Sequence, residues 1–287
     1  MMNSRCCPLC GGSNIREKYA NAPLPIWHCI CGAVFLSPFS VPEDLKDMYR
    51  ESYYESWGLA ADNEEGPRQM KHLTFEARLK RISHRLEPGK VLDVGCATGY
   101  FLEVAAEAGW DVHGVELSEY SARLAQKKFG DRVFNGTLEE AYYADETFDL
   151  ITLSDLLEHV QKPAAFLREV RRILKPTGLL MIVTPNAASL SCRLMGVNWS
   201  HYKAEHLHYF SPRTIKQLLT DSGFTLLVVE GAAKYLNFAY IINQFRIYNH
   251  PLLTTLLNGV GRLLPDSLKA ANFPVLCGEL LALAVKE

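Results

Sequence analysis

A chain of 287 residues can hold one large domain with an appendage, or two modest ones. Its formal net charge of −2 leaves no electrostatic footprint for nucleic acid. No apolar run approaches the roughly 18 residues of a membrane span, and the opening MMNSRCCPLC lacks the apolar core of a secretory signal. The sequence is therefore read as cytoplasmic, and its eight cysteines as thiols or metal ligands, not disulfides.

Five of those cysteines, Cys6, Cys7, Cys10, Cys29 and Cys31, crowd into residues 1–40 and mark a small N-terminal module. Cys7-x-x-Cys10 is a tight turn with Pro8 inside it and Gly11 after it, and a second cysteine pair follows about twenty residues later. That pattern predicts a zinc-ribbon-like unit with four ligands. The second pair is open: Cys29 and Cys31 are one residue apart, whereas His28 and Cys31 have the standard spacing of two. The expected ligands are Cys7, Cys10, Cys29 and Cys31, with a Cys3His set through His28 as the alternative and Cys6 as a spare thiol. The zinc would be structural, because so short a unit cannot bury enough apolar surface to hold itself together.

Residues 41–89 read as a linker and N-terminal helices. Leu45, Met48 and Tyr49 have helical spacing, ADNEEGP breaks the pattern, and a helix is predicted from Gln69 to Leu86. Residues 90–287 then alternate strand and helix. KVLDVG is a buried strand, GYFLEVAAEAG a helix, WDVHGVEL a strand, and SEYSARLAQKKFG a helix with Ser118 as its N-cap. RVFNGTL and FDLITLSD are strands, and KPAAFLREVRRIL is a helix starting near Pro163. GLLMIVTP, FTLLVVE and GELLALAVK are the last strands, with a helix capped by Ser211 before the second of them. Between FTLLVVE and GELLALAVK, residues 237–264 carry two apolar stripes separated by Pro251, which predicts a helical insert. Packing or a homodimer contact is its ordinary role; contact with a membrane surface or a lipid-linked substrate is the alternative, weakened by polar faces poor in Lys and Arg. Repeated strand–helix units imply a mostly parallel α/β sheet with helices on both faces.

The loop after the first core strand, VLDVGCATGYF, sits where such sheets bind ligands. Gly95 lets the backbone turn and Gly99 offers bare backbone to a ligand, but Ala97 stands where a dinucleotide fold wants its second glycine. Asp93 would repel a phosphate and attract an ammonium. Glu116, ending the second core strand, is placed to grip both hydroxyls of a ribose. A ligand with a ribose, no pyrophosphate and a cationic portion fits this set, and S-adenosylmethionine answers to that description.

Residues Lys90 to Asn186 resemble the class I S-adenosylmethionine-dependent methyltransferases, through LDVGCATGYFL, GVELS and FDLITLSDLLEHVQKPAAFLREVRRILKPTGLLMIVTPN; EHLHYFSPRTIKQLLTDSGF continues the likeness. The resemblance implies a Rossmann-like seven-stranded sheet, mostly parallel with the last strand antiparallel. It implies that Asp93, Gly95 and Gly99 hold the methionine end, with Cys96 and Ala97 of the same loop also counted as cofactor-binding, that Glu116 holds the ribose, that Leu117 and Leu138 flank the adenine, and that Ser154 and Asp155 form the floor under the sulfonium. Tyr53 and Tyr54 resemble a tyrosine pair that closes over the cofactor, Tyr54 being the expected contact.

Methyl transfer needs alignment, and it needs a base only where the acceptor is a hydroxyl or an acidic carbon. SDLLEHV is read as one helical turn bringing Asp155, Glu158 and His159 to the same side. These groups are either structural, a base, or, by resemblance to ubiquinone-biosynthesis O-methyltransferases, a site for a divalent ion such as magnesium. NWSHYKAEHLHYF offers His206 first and His208 second as proton acceptors, with Trp199 and Tyr202 against the acceptor. The expected activity is methylation of a small molecule, most plainly the hydroxyl of a glycan precursor, quinone-like compound or natural-product intermediate. The cysteine head also resembles that of sugar C-methyltransferases, so C-methylation of a nucleotide-linked sugar is an alternative. A non-catalytic cofactor-binding protein whose zinc head docks a partner is a third.

Overall fold

The computed structural model describes residues 6–19, 24–37, 65–247 and 251–287; the predicted contacts of Tyr53 and Tyr54 lie outside them. In the head, β1 (Ile15–Glu17), β2 (Ile26–Cys29) and β3 (Val34–Leu36) form an antiparallel meander. Then come α1 (Glu65–Lys80), β4 (Lys90–Val94), α2 (Tyr100–Glu107), β5 (Asp111–Glu116), α3 (Glu119–Phe129), β6 (Val133–Asn135), β7 (Phe148–Ser154), α4 (Pro163–Ile173) and β8 (Leu174–Pro185). The chain continues through α5 (Leu190–Met195), β9 (His208–Tyr209), α6 (Pro212–Asp221), β10 (Phe224–Leu236), α7 (Phe238–Ile247), α8 (Pro251–Leu263), α9 (Asp266–Ala270) and β11 (Phe273–Lys286).

The main sheet has seven strands in the order β10-β11-β8-β7-β4-β5-β6, and only β11 runs antiparallel to its neighbours. This is the expected Rossmann-like sheet. Period-two alternation sends its side chains into two layers. Leu92, Val94, Ile151, Leu153, Leu180 and Ile182 pack with α4 and α6 on one face. Val91, Leu150, Leu179, Met181 and Val183 pack with α1, α2 and α3 on the other. After β4 the chain fills β5 and β6 on one side, then crosses back to β7 on the other. The resulting crevice opens at the C-terminal ends of β4 and β7, where open α/β sheets take their ligands.

The caps match the sequence. The Ser118 side chain accepts from the Ser121 amide, Pro163 occupies the first turn of α4, and Ser211 forms a capping box with Thr214. Two expectations need correction. The last two strands are far longer than their apolar runs, because AKYL (233–236) pairs with FPVL (273–276) after a register shift at Ala232/Ala233, and neither segment alternates apolar and polar residues. The turn SDLLEHV is not one helical turn. Asp155 sits at φ 53 and only Leu157–His159 coil, as a 3-10 turn, so Asp155 does not share a helical face with Glu158 and His159. The insert is helical as predicted (α7 and α8), with Leu263, Leu268 and Leu276 left exposed on or beside it. Among the described residues no helix is long and apolar enough to cross a membrane.

Candidate active site

The glycine loop is held by its neighbour strand. The amides of Gly95 and Cys96 both donate to the Val115 carbonyl, at 2.8 and 3.1 Å, and Gly99 closes the turn onto the Cys96 carbonyl at 2.9 Å. Gly95 and Gly99 have φ of 76 and 84, the left-handed conformation glycine adopts without cost. A Cβ on Gly99 would lie 3.0 Å from the Phe129 ring, so its small size serves the seating of α3 rather than only a ligand. Ala97 is also left-handed, at φ 47. An alanine there carries a strain of roughly 1–2 kcal/mol that glycine escapes, less the entropy glycine loses on folding. Ala97→Gly is therefore expected to raise stability by about 0.5–1 kcal/mol, as a shift in the denaturation midpoint at unchanged slope.

Glu116 is buried and grips this loop itself: Oε2 accepts from the Ala97 amide at 2.9 Å and Oε1 from the Ser118 amide at 2.8 Å. A carboxylate has about four acceptor sites, so these two amides fix its direction without using its full capacity. Asp93 lies buried at the end of β4, accepting from Thr152 Oγ1 at 2.6 Å. Burial pushes its carboxyl up to about 7, against the pull of the Thr152 hydroxyl. Cys96 is buried beneath the loop, and a Cβ on Gly114 would strike its Sγ at 2.7 Å. Leu138 is buried in the core layer and Leu117 is half-buried.

Two buried hydroxyls in this crevice, Thr98 Oγ1 in the loop and Ser154 Oγ at the tip of β7, have no hydrogen-bond partner. Buried polar atoms are nearly always paired. Orphaned hydroxyls beside an acidic pair and a bare loop therefore suit a polar ligand such as S-adenosylmethionine, and the residues present fit it.

Next to Ser154, Asp155 joins a charged group whose other members, Lys234, Glu279 and Arg78, the sequence reading missed. Asp155 Oδ2 meets Lys234 Nζ at 3.6 Å, Lys234 also pairs with Glu279, and Glu279 Oε2 meets Arg78 at 3.4 Å. Arg78 and Glu279 are 4% and 3% exposed. Burial and Asp155 push Glu279 upward, while Lys234 and Arg78 oppose them. Partial desolvation of the half-exposed Asp155 would raise it too, but Lys234 and Arg78 outweigh this and hold that carboxyl low. The available signal was a lone Glu279 and a lone Lys234 inside apolar strands.

On the far side of Asp155, ligand atoms of Glu158, His159 and His206 lie within 4.8 Å of one another. His159 and His206 meet edge to face, ring centres 4.7 Å apart. A carbonyl only accepts, so His159 Nδ1–H donates to the Glu205 carbonyl at 2.9 Å and His206 Nδ1–H to the His201 carbonyl at 2.8 Å. In both rings Nε2 is then the accepting nitrogen. Burial holds His159 down at about 4, and lifts Glu158, whose Oε2 accepts from Thr184 Oγ1 at 2.9 Å, to about 8. Two imidazoles and one carboxylate are not the oxygen-rich set that magnesium takes; the ligand atoms that converge are those of Glu158, His159 and His206, not the expected Asp155, Glu158 and His159 set. His208 donates from Nε2 to the Val160 carbonyl at 3.0 Å and is buried, which ties down its strand. Trp199 and Tyr202, expected against the acceptor, are engaged in packing instead. They pack with Ile26, Leu36 and Tyr209 against the head, and Lys18 donates to the Tyr202 hydroxyl at 3.1 Å.

In the head, Cys7, Cys10, Cys29 and Cys31 converge within 4.8 Å. The Sγ atoms of Cys7 and Cys31 are 3.7 Å apart, and those of Cys10 and Cys29 3.6 Å. The edge of a tetrahedron with Zn–S bonds of about 2.3 Å is about 3.8 Å, so these two spacings suit a tetrahedral four-cysteine metal site. His28 is turned to the other face of β2, where its Nε2 accepts from Arg16 at 2.7 Å. The Cys3His alternative is thereby replaced by the four-cysteine set.

The fold, the switch-point crevice and the acidic residues around its glycine loop define an S-adenosylmethionine-dependent methyltransferase of class I. Residues 64–229, more than half the chain, match the family described as a methyltransferase domain, and the chain belongs to that family. It is 31% identical over 186 residues to a ubiquinone biosynthesis O-methyltransferase of Xanthomonas axonopodis pv. citri, covering 58% of this chain and 76% of that protein. The mitochondrial ubiquinone biosynthesis O-methyltransferase of Bos taurus is 30% identical over 202 residues, covering 64% of this chain and 52% of that protein. In fold it is similar to an S-adenosylmethionine-dependent methyltransferase from Archaeoglobus fulgidus, with a TM-score of 0.54, 20% identity, and 82% and 100% of the two chains covered.

Proposed function

We propose that this methyltransferase O-methylates a small, quinone-like aromatic hydroxyl, and that His159 receives the hydroxyl proton. The donor supplies an electrophilic methyl group. The chain supplies the donor cradle of Asp93, Gly95, Cys96, Ala97, Gly99, Glu116, Leu117 and Leu138, with Ser154 and Asp155 beneath it. One observation carries the reading: a histidine, neutral at physiological pH and oriented by the Glu205 carbonyl, stands one turn beyond Asp155 against a buried carboxyl. Such a ring accepts a proton, and an ionised Glu158 within 4.8 Å stabilises the imidazolium that forms. His206 packs on His159 and fixes its plane; His208 ties the segment after His206 to the Val160 carbonyl, next to the turn that carries His159. The names of the relatives in Xanthomonas and Bos taurus support a quinone-like acceptor.

The test is S-adenosylhomocysteine release with a panel of phenolic quinone precursors. Turnover is expected to rise with pH and level off above about 8 as Glu158 ionises. Glu158→Gln is expected to erase that limb. His159→Gln is expected to lower kcat by roughly 10²- to 10⁴-fold while S-adenosylhomocysteine still binds. Unchanged turnover in the His159 variant would defeat the proposal.

A further inference from the structure

Strand β9 has only two residues, and among the described strands its partner is β3 of the cysteine head. Val34 faces Tyr209, Phe35 faces His208, and the Leu36 amide donates to the Leu207 carbonyl at 3.0 Å. The opposite edge of the same segment holds the candidate base. The Leu207 amide donates to the Glu158 carbonyl at 2.8 Å, and His159 Nδ1–H to the Glu205 carbonyl at 2.9 Å. Side chains repeat the connection: Lys18 reaches the Tyr202 hydroxyl, the Tyr19 and Tyr202 rings lie 5.8 Å apart, and Ile26 and Leu36 share one apolar cluster with Trp199, Leu207 and Tyr209. Residues 205–210 are thus clamped between the head and the catalytic turn.

The head has little of its own to resist with. Its other buried cluster consists of Cys7, Cys29, Ala33 and Phe35, so half of that core is made of the metal-type ligands themselves. Strands this short depend on the two cysteine turns for their register, and those turns depend on an ion joining them. The donor loop is anchored elsewhere, by the Val115 carbonyl and by Glu116 on β5.

We propose that the Cys7, Cys10, Cys29 and Cys31 cluster, loaded with zinc, is a positioning device for the acceptor side of the active site: the ion holds β3, β3 holds residues 205–210, and these hold His159 and His206. Loss of the ion loosens the acceptor side and spares the donor side. The inference goes beyond the hydroxyl-acceptor reading, and its main readout does not depend on it.

The experiment compares the full chain loaded with zinc, the same protein after chelation under reducing conditions, and a Leu36→Pro variant, which keeps all four cysteines but loses the amide that bonds Leu207. Hydrogen exchange is followed by mass spectrometry, zinc content by metal analysis, and S-adenosylhomocysteine binding by calorimetry. The loaded protein should carry one zinc per chain. Removal should speed exchange across 205–210 at least tenfold, leave 91–99 unchanged, and alter S-adenosylhomocysteine affinity by less than twofold. Leu36→Pro should keep its zinc and show the same loosened segment. Unchanged protection of 205–210 in either the zinc-free protein or the proline variant overturns the proposal, as does equal loss of protection at 91–99, which would make the ion a prop for the whole fold.

Discussion

Glu279→Gln is expected to destabilise the protein by about 3–5 kcal/mol, among the largest single-residue effects the molecule offers. The side chain is 3% exposed and faces two cations, Lys234 from β10 and Arg78 from α1, with Asp155 as the second anion of the group. Two positive and two negative charges balance as they stand. Removing one anion leaves Arg78, itself 4% exposed, buried beside a neutral amide, and an unpaired buried guanidinium can neither lose its proton nor reach water. The loss should be read from urea denaturation at constant slope. The double variant Arg78→Leu with Glu279→Leu should recover much of it, because an apolar pair of similar volume avoids the desolvation that the ions incur. A single-variant loss below about 1 kcal/mol would show that α1 is held to the sheet mainly by its other contacts, the packing of Phe75 and Leu79 and the Tyr235 amide donating to Thr74 Oγ1. The network also bears on the site. Lys234 pairs with both Glu279 and Asp155, so the Glu279 variant should alter S-adenosylhomocysteine binding as well as stability.

The sequence disclosed what local chemistry encodes. Glycines at left-handed positions, serines at helix starts and proline in a first turn are signals confined to a few residues, and Gly95, Gly99, Ser118, Pro163 and Ser211 all stand where such signals place them. The mostly parallel sheet with helices on both faces followed from the repeated strand–helix unit, while its seven strands and antiparallel last strand were what the family resemblance implied. Contacts between segments distant in the chain were not legible. The pairing of β3 with β9 joins residues about 170 positions apart through two residues of strand, too short for any period to register. Arg78, Lys234 and Glu279 each look like ordinary charges until the fold brings them together. The turn SDLLEHV reads as helix by spacing, yet Asp155 takes a positive φ that no pattern of apolar residues announces. Trp199 and Tyr202 were read as acceptor contacts because aromatic residues crowd such loops, whereas the head claims them for its own packing.

Asp93→Asn is expected to stabilise the ligand-free protein at pH 8 while removing most of its affinity for the donor. The sign follows from the direction of the shift. Burial lifts the Asp93 carboxyl from 3.8 to about 7 in the folded chain. Below the unfolded value both states hold the proton and nothing is lost. As pH rises the unfolded chain ionises first, so stability falls between about pH 4 and pH 7 and then levels off, by an upper bound of about 4 kcal/mol. Asparagine cannot ionise, and its Oδ1 can still accept from Thr152, so a gain on the order of 2 kcal/mol should appear at pH 8 and shrink as pH approaches 4. Donor binding should move the opposite way. A cationic group docking on Asp93 favours the carboxylate, so wild-type affinity for S-adenosylhomocysteine should climb roughly tenfold per pH unit below 7 and flatten above it, with one proton released per molecule bound. The variant should bind weakly and without that slope. Calorimetry at pH 5.5, 6.5 and 7.5, paired with thermal melts of the ligand-free proteins, reads both halves. If the variant bound as tightly as the wild type, the ammonium would not rest on Asp93. If the variant melted no higher at pH 8, burial of this carboxyl would not be where the ligand-free fold stores its strain.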